Sequence, residues 1–180
     1  MPPCRFHELT ADAYPRAPAV RAELTAPVRA GELERYLHER IPLSRAIAVR
    51  VVHVGPEFVR LSAPLAPNLN HRQTAFGGSV ASLAILAGWS WLLARVADRS
   101  PLPRLVIQEQ TVEYLAPIDA LFEAECAAPT DAAWQRFVRA LDGRGRGRLA
   151  LAADVTCGGR VAARFRGQFV AMAAASADGT

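Results

Sequence analysis

The spacing of hydrophobic positions changes along the chain, and each change marks an element. In residues 31–41, Leu33, Tyr36, Leu37 and Ile41 recur at helical spacing with Glu and Arg between them, which predicts an amphipathic helix stopped by Pro42. From Ile47 the period falls to two: Ile47, Val49 and Val51 alternate with Ala48 and Arg50 until Gly55-Pro56 marks a turn. Phe58-Val59-Arg60-Leu61 then answers as the second arm of a hairpin, and a polar loop follows over residues 67–74.

Residues 75–97 form an uncharged run up to Arg95, apolar on all sides. About 20 such residues are enough to cross a membrane. Yet the run is rich in Gly, Ser and Ala, opens with Gly77-Gly78 and sits alone among period-two segments. A helix apolar all round is equally expected when a protein core encloses it, so a buried helix and no membrane span are expected.

Downstream, residues 105–115 read as a long strand with a polar middle, closed by Pro117, and residues 121–126 as another. Residues 131–141 admit two readings: a short helix beginning after a Thr130 cap, or a strand edge carrying Trp134, Phe137, Val138 and Leu141. Arg144-Gly145-Arg146-Gly147-Arg148 reads as a turn, and residues 149–156 and 160–172 as a hairpin about Gly158-Gly159. Strands grouped around a single sequestered helix mean an α+β domain with one antiparallel sheet. Residues 1–29 are expected to be an irregular arm, 30–174 the domain and 175–180 a frayed tail.

At 180 residues the chain is long enough to build its own core. All 21 basic residues are Arg, which removes the lysine-dependent chemistries, Schiff bases and the P-loop. Arginine's planar fork suits phosphate, as a nucleotide-bearing thioester would offer. An Arg- and Ala-rich composition also follows from codon bias alone. The basic residues are scattered, so no nucleic-acid partner is expected despite the net charge of +4. Cys4, Cys126 and Cys157 lie far apart with no CxxC pair, which excludes a disulfide framework and a zinc site and fits a reducing cytoplasm. The N-terminus lacks the continuous apolar core of a secretory signal.

Two segments carry a resemblance. Asn68-Leu69-Asn70-His71-Arg72-Gln73-Thr74-Ala75-Phe76-Gly77-Gly78-Ser79 resembles the Asn-x-x-x-x-x-His-Gly-Gly lead-in of acyl-CoA thioesterases of the phenylacetate-pathway type. Val112-Glu113-Tyr114-Leu115-Ala116-Pro117 resembles their central-strand ending, Tyr-x-x-Pro. Phe76-Gly77-Gly78-Ser79, with Ile41-Pro42-Leu43-Ser44 upstream, is closer to the thioesterase family found as the C-terminal domain of a YiiD-type acetyltransferase fusion, here in a stand-alone form.

The resemblance implies a hotdog fold, a curved antiparallel sheet wrapped around one long helix. It also implies hydrolysis of an acyl-CoA or acyl-carrier thioester at a groove between subunits of a homodimer or dimer of dimers. No cofactor is implied beyond the CoA carried by the substrate. Gly77 and Gly78 would meet the thioester oxygen with backbone N–H groups at the positive helix end. The plainer reading is a tight turn into a buried helix. Asn70 stands where the family carries an active-site Asn; alternatively it caps its own backbone. Phe76 replaces the usual His and is expected in the acyl pocket, with Ser79 and His71 beside the substrate.

One departure stands out. The family's helix carboxylate falls here on Ile85, flanked by Ala84, Leu86 and Ala87. A general base would have to come from elsewhere. Glu109, between Gln108 and Gln110 in the long strand that would face the helix entry of the partner subunit in a hotdog dimer, is the favoured candidate and His71 the second. Glu113 reads as a solvent-facing strand residue, His53 as a core histidine, and Trp89 and Trp91 as packing. A non-catalytic acyl-CoA binding module is the principal alternative. A hotdog hydratase and a structural interaction protein are others.

Overall fold

The computed structural model describes Leu24 and residues 26–173. The rest of the expected arm and all of the expected tail lie outside the described residues. In chain order the elements are α1 (Ala30–Arg40), α2 (Pro42–Ala46), β1 (Arg50–Val54), β2 (Phe58–Ala63), a 3-10 turn (Ala66–Asn68), α3 (Gly77–Val96), β3 (Arg104–Tyr114), β4 (Phe122–Ala127), α4 (Asp131–Arg144), β5 (Arg146–Cys157) and β6 (Arg160–Met172). The strands form one sheet in the order β1-β2-β4-β5-β6-β3, and every neighbouring pair is antiparallel. The sheet curls around α3, which is the hotdog arrangement.

Burial explains why α3 carries no charge before Arg95. Its mean hydropathy reaches 1.5 over a stretch that is 67% buried inside the protein, as a core helix requires. The stripe left half-covered, Ala81, Ser82, Ile85 and Trp89, follows the helical period. Trp91 lies within the core and donates from Nε1 to the Pro56 carbonyl at 3.1 Å. Trp89 donates to the Leu105 carbonyl at 3.3 Å and stacks on Tyr36 of α1. Both tryptophans therefore serve packing, as expected. Helix and sheet meet most closely at Gly88, where a Cβ would lie 2.8 Å from the buried Phe169 ring.

The ambiguous segment 131–141 is helical. Thr130 Oγ1 accepts from Ala133 N at 3.3 Å, and Phe137 and Leu141 supply the buried face of α4. Trp134 then meets Trp91 edge-on at 5.5 Å and carries Arg95 over its ring, so α4 closes the C-terminal end of α3.

Three expectations need correction. The 144–148 turn is confined to its start, because alternating burial of Gly147, Leu149, Leu151 and Ala153 carries β5 back to Arg146. The first strand begins only at Arg50, since Pro42 at the start of α2 opens a further helical turn. His53 is exposed and stacks on Phe58 at 4.2 Å, because β1 is an outer strand.

The irregular residues before α1 also join the core, through buried Leu24 and Val28. At the other end, Gly158 and Gly159 both take positive φ (56° and 76°), as a tight two-residue hairpin turn needs.

The contact at Gly88 generates a test. Gly88→Val should destabilise the protein by about 2 kcal/mol through overpacking against Phe169. Urea denaturation reads this directly, and unchanged stability would mean that α3 does not seat against the sheet as described.

Candidate functional site at the mouth of the long helix

The loop before α3 is held by two asparagines. Asn68 is buried; its Nδ2 donates to the carbonyls of Ile47 (3.0 Å) and Pro64 (2.7 Å), and its own carbonyl accepts from Phe76 N at 2.7 Å. Asn70 closes the tip. Its Oδ1 accepts from Arg72 N (2.7 Å) and Thr74 N (3.3 Å), and its Nδ2 donates to Thr74 Oγ1 (2.9 Å) and the Ala75 carbonyl (3.2 Å). Both ends of the Asn70 amide are thus engaged within its own loop, a common use of Asn in turns. Ala75 N then donates to the Ile118 carbonyl at 2.7 Å, tying the loop to the segment after β3.

This scaffold fixes where α3 begins. Phe76 is the extended cap residue, and its carbonyl accepts from Ser79 N (2.9 Å) and Val80 N (3.1 Å). Among the described residues, no side chain caps this end and no acceptor takes the N–H groups of Gly77 or Gly78. They are the free donors at the positive end of a 20-residue helix. They border a cavity of about 520 Å³ between the first turn of α3 and residues 114–118.

The rim of this mouth is apolar, with Phe76 57% and Tyr114 55% exposed and Leu69 and Leu115 exposed beside them. The Tyr114 hydroxyl donates to the Gly77 carbonyl at 2.8 Å. Burial pushes the Tyr114 phenol above its ordinary value, so the hydroxyl keeps its proton at neutral pH.

The sequence candidates separate into two groups. Gly77 and Gly78 line the mouth cavity; Phe76 and Ser79 flank them at the start of α3, Ser79 being buried within the first turn, and His71 is exposed in the adjoining loop. Glu109 is not among them. The ladder between β3 and β6 pairs Ile107 with Phe169 and then Glu109 with Gln168, so Gln108 is an extra residue in a β-bulge. The bulge reverses the parity of the strand. Val112 and Tyr114 point toward α3, whereas Glu109, Thr111 and Glu113 lie on the outer face of the sheet. Glu109 borders a separate outer depression of about 320 Å³ with Thr111, Ala152, Arg166 and Gln168. Ile85 is half-buried on α3, and the residues lining the mouth cavity include neither a carboxylate nor an imidazole.

The Tyr114 contact at the mouth is one that sequence reasoning misses. Its place in Tyr-x-x-Pro was visible, but its partner lies 37 residues earlier.

A family model described as "Putative thioesterase (yiiD_Cterm)" matches residues 30–173. Among solved structures, the chain is similar to a "putative thioesterase" from Shewanella oneidensis, with 26% identity, 79% of this chain and 96% of that chain covered, and a TM-score of 0.69. It is similar as well to a Pseudomonas aeruginosa protein described as "Probable Thioesterase", with 25% identity, coverage of 82% and 98%, and a TM-score of 0.69. A Chlorobaculum tepidum protein of unknown function shares the fold at 24% identity, with coverage of 81% and 94% and a TM-score of 0.76.

The loop geometry predicts the effect of replacing Asn70. Asn70→Ala removes four hydrogen bonds and should cost about 1–3 kcal/mol in chemical denaturation. Asn70→Asp keeps the two acceptor bonds and should fall between the two proteins. Equal stability for all three would show that the loop does not depend on this side chain.

Proposed function

Because the chain belongs to the yiiD_Cterm thioesterase family, we propose that it hydrolyses an acyl-CoA or acyl-carrier thioester at the mouth of α3. One observation carries the reading: two glycine N–H groups without acceptors among the described residues, at a helix N-terminus that borders a cavity with an apolar rim. Water adding to the thioester carbon places negative charge on the carbonyl oxygen. Donors already aimed at that oxygen stabilise the charge without reorganising. The intermediate then collapses by breaking the C–S bond. A thiolate leaves readily, thiols being far stronger acids than alcohols (a cysteine thiol has a pKa of about 8.5), so departure does not depend on a protonating side chain. Phe76, Tyr114 and Leu115 offer the apolar surface that an acyl or pantetheine chain needs.

Asn70 acts in this proposal by shaping the loop that sets Phe76 and Gly77. His71 and Ser79 lie beside the mouth as substrate contacts. Glu109, on the outer face, takes no part. Attack therefore depends on hydroxide, and turnover is slow.

The two sheet edges favour assembly through β3. At β1, Glu34 accepts from Val51 N at 2.9 Å and His38 donates to the Val49 carbonyl just before the strand, which occupies that edge. On β3 the Leu105 carbonyl accepts from Trp89 near the start of the strand, and residues 106–114 carry no such side-chain cover on their outer edge among the described residues. A homodimer, or a dimer of dimers, pairs through it.

A specific observation favours a second reading, a non-catalytic acyl-CoA binding module: Ile85 stands at the helix position of the expected carboxylate. A panel of short, medium, long and aromatic acyl-CoAs, followed by free-thiol release and by thermal shift, separates the two. Turnover above background supports the hydrolase; binding without turnover selects the module.

Gly77→Pro suits the first position of a helix after an extended Phe76 and deletes one donor, and its Cβ would also press on the Tyr114 hydroxyl at 3.2 Å; turnover should fall by at least about 100-fold. With no base at the mouth, log kcat/KM should climb with a slope near one from about pH 6 to 9. A plateau starting near about pH 4 or 6.5 would instead reveal a carboxylate or imidazole base. Glu109→Gln should retain turnover within about twofold, and a collapse would assign the base to that residue.

A further inference from the structure

We infer that Tyr114 is a positioning residue for the Gly78 amide: its hydroxyl grips the Gly77 carbonyl and so fixes the peptide plane that carries the Gly78 N–H. The inference rests on the reading that the glycine amides receive the thioester oxygen.

A peptide unit is rigid and planar, so the Gly77 carbonyl and the Gly78 N–H move as one body, pointing in opposite directions. A bond that holds the first aims the second. This restraint matters at Gly77-Gly78 more than elsewhere in the helix. Two successive glycines are the most pliable backbone available, and the first turn has no side-chain cap to stiffen it. The neighbouring planes are held in the same way. The Phe76 carbonyl, in the plane of the Gly77 N–H, accepts from Ser79 and Val80, and the Gly78 carbonyl accepts from Ser82 Oγ at 2.7 Å. For the central plane, the bond supplied from outside α3 is the one from Tyr114, at 2.8 Å.

An independent observation supports the pairing. A Cβ on Gly77 would lie 3.2 Å from the Tyr114 hydroxyl oxygen and 3.3 Å from the ring carbon that bears it. A side chain at position 77 would press on Tyr114, which would have to give by a few tenths of an ångström. Tyr114 is itself well anchored. It pairs with Ala163 at the end of β3, and the next two residues donate to the Ala162 carbonyl at 2.8 and 3.1 Å. The hydroxyl therefore comes from a fixed strand. Donation to a carbonyl also polarises the peptide and strengthens its N–H as a donor, by roughly 10–30%.

A plain wall residue would occupy the same place, and Tyr114→Phe separates the two roles because it keeps the ring and removes only the hydroxyl. The full chain, wild type and variant, is assayed on the acyl-CoA panel, with the Gly78 amide resonance followed by ¹H–¹⁵N NMR. We expect kcat to fall roughly tenfold, KM to stay within about twofold, and the Gly78 resonance to move. An unchanged kcat overturns the inference, whether or not the resonance moves, and so does a loss confined to KM. If wild type turns over while Tyr114→Phe matches it, the positioning role alone fails. If wild type hydrolyses no member of the panel, the reading of the site fails and takes this role with it.

Discussion

A helix that is apolar on every side must be hidden from water, and the architecture follows from hiding α3. The sheet has to curl, because a flat one would cover a single face. Closing the curl brings the Phe169 ring against the helix, which only a residue as small as Gly88 allows. The C-terminal end is sealed by α4 through Trp134, and the Trp89 side is covered by Tyr36 of α1. Each covering element is amphipathic and uses its one apolar face for this purpose.

The N-terminal end cannot be sealed with apolar groups, since a helix start presents N–H groups that need acceptors. The protein instead builds a polar loop around it. Asn68 and Asn70 spend their amides on the loop backbone, fixing Phe76 without covering the two glycine donors behind it. A helix end left open beside a cavity is costly in a protein at rest and useful in one that binds an oxygen ligand. The constraint that encloses α3 is thus the one that produces the site.

Much of this was legible in sequence because period and polarity are local properties. The long helix, the hairpin about Gly158-Gly159 and the Gly77-Gly78 mouth all declare themselves within a few residues. Features decided by distant partners did not. Residues 131–141 fit a helix or a strand until Phe137 is seen packed on Gly147, and Arg146 joins β5 because β6 lies beside it. Glu109 shows the limit most clearly. Strict alternation from Leu105 and Ile107 turns it inward, toward the helix. One extra residue, Gln108, sends it outward, and no composition rule marks where a bulge falls. Tyr114 stayed hidden for the complementary reason: its motif is local, but the carbonyl it holds is not.

The bulge has a consequence for the whole edge. By reversing parity it turns Glu109, Thr111 and Glu113 outward and leaves Val112 and Tyr114 on the helix side. Strand β3 therefore does two things at once. Its free backbone edge is available to another strand, and its last residue reaches the first turn of α3. A second copy pairing along that edge would stiffen the strand from which Tyr114 projects. The β1 edge, occupied by Glu34 and remote in strand order, offers no such route to the mouth. In the proposed dimer, association through β3 and order at the glycine amides would be aspects of a single mechanical connection, which would give a physical reason for a site of this kind to lie beside a subunit boundary.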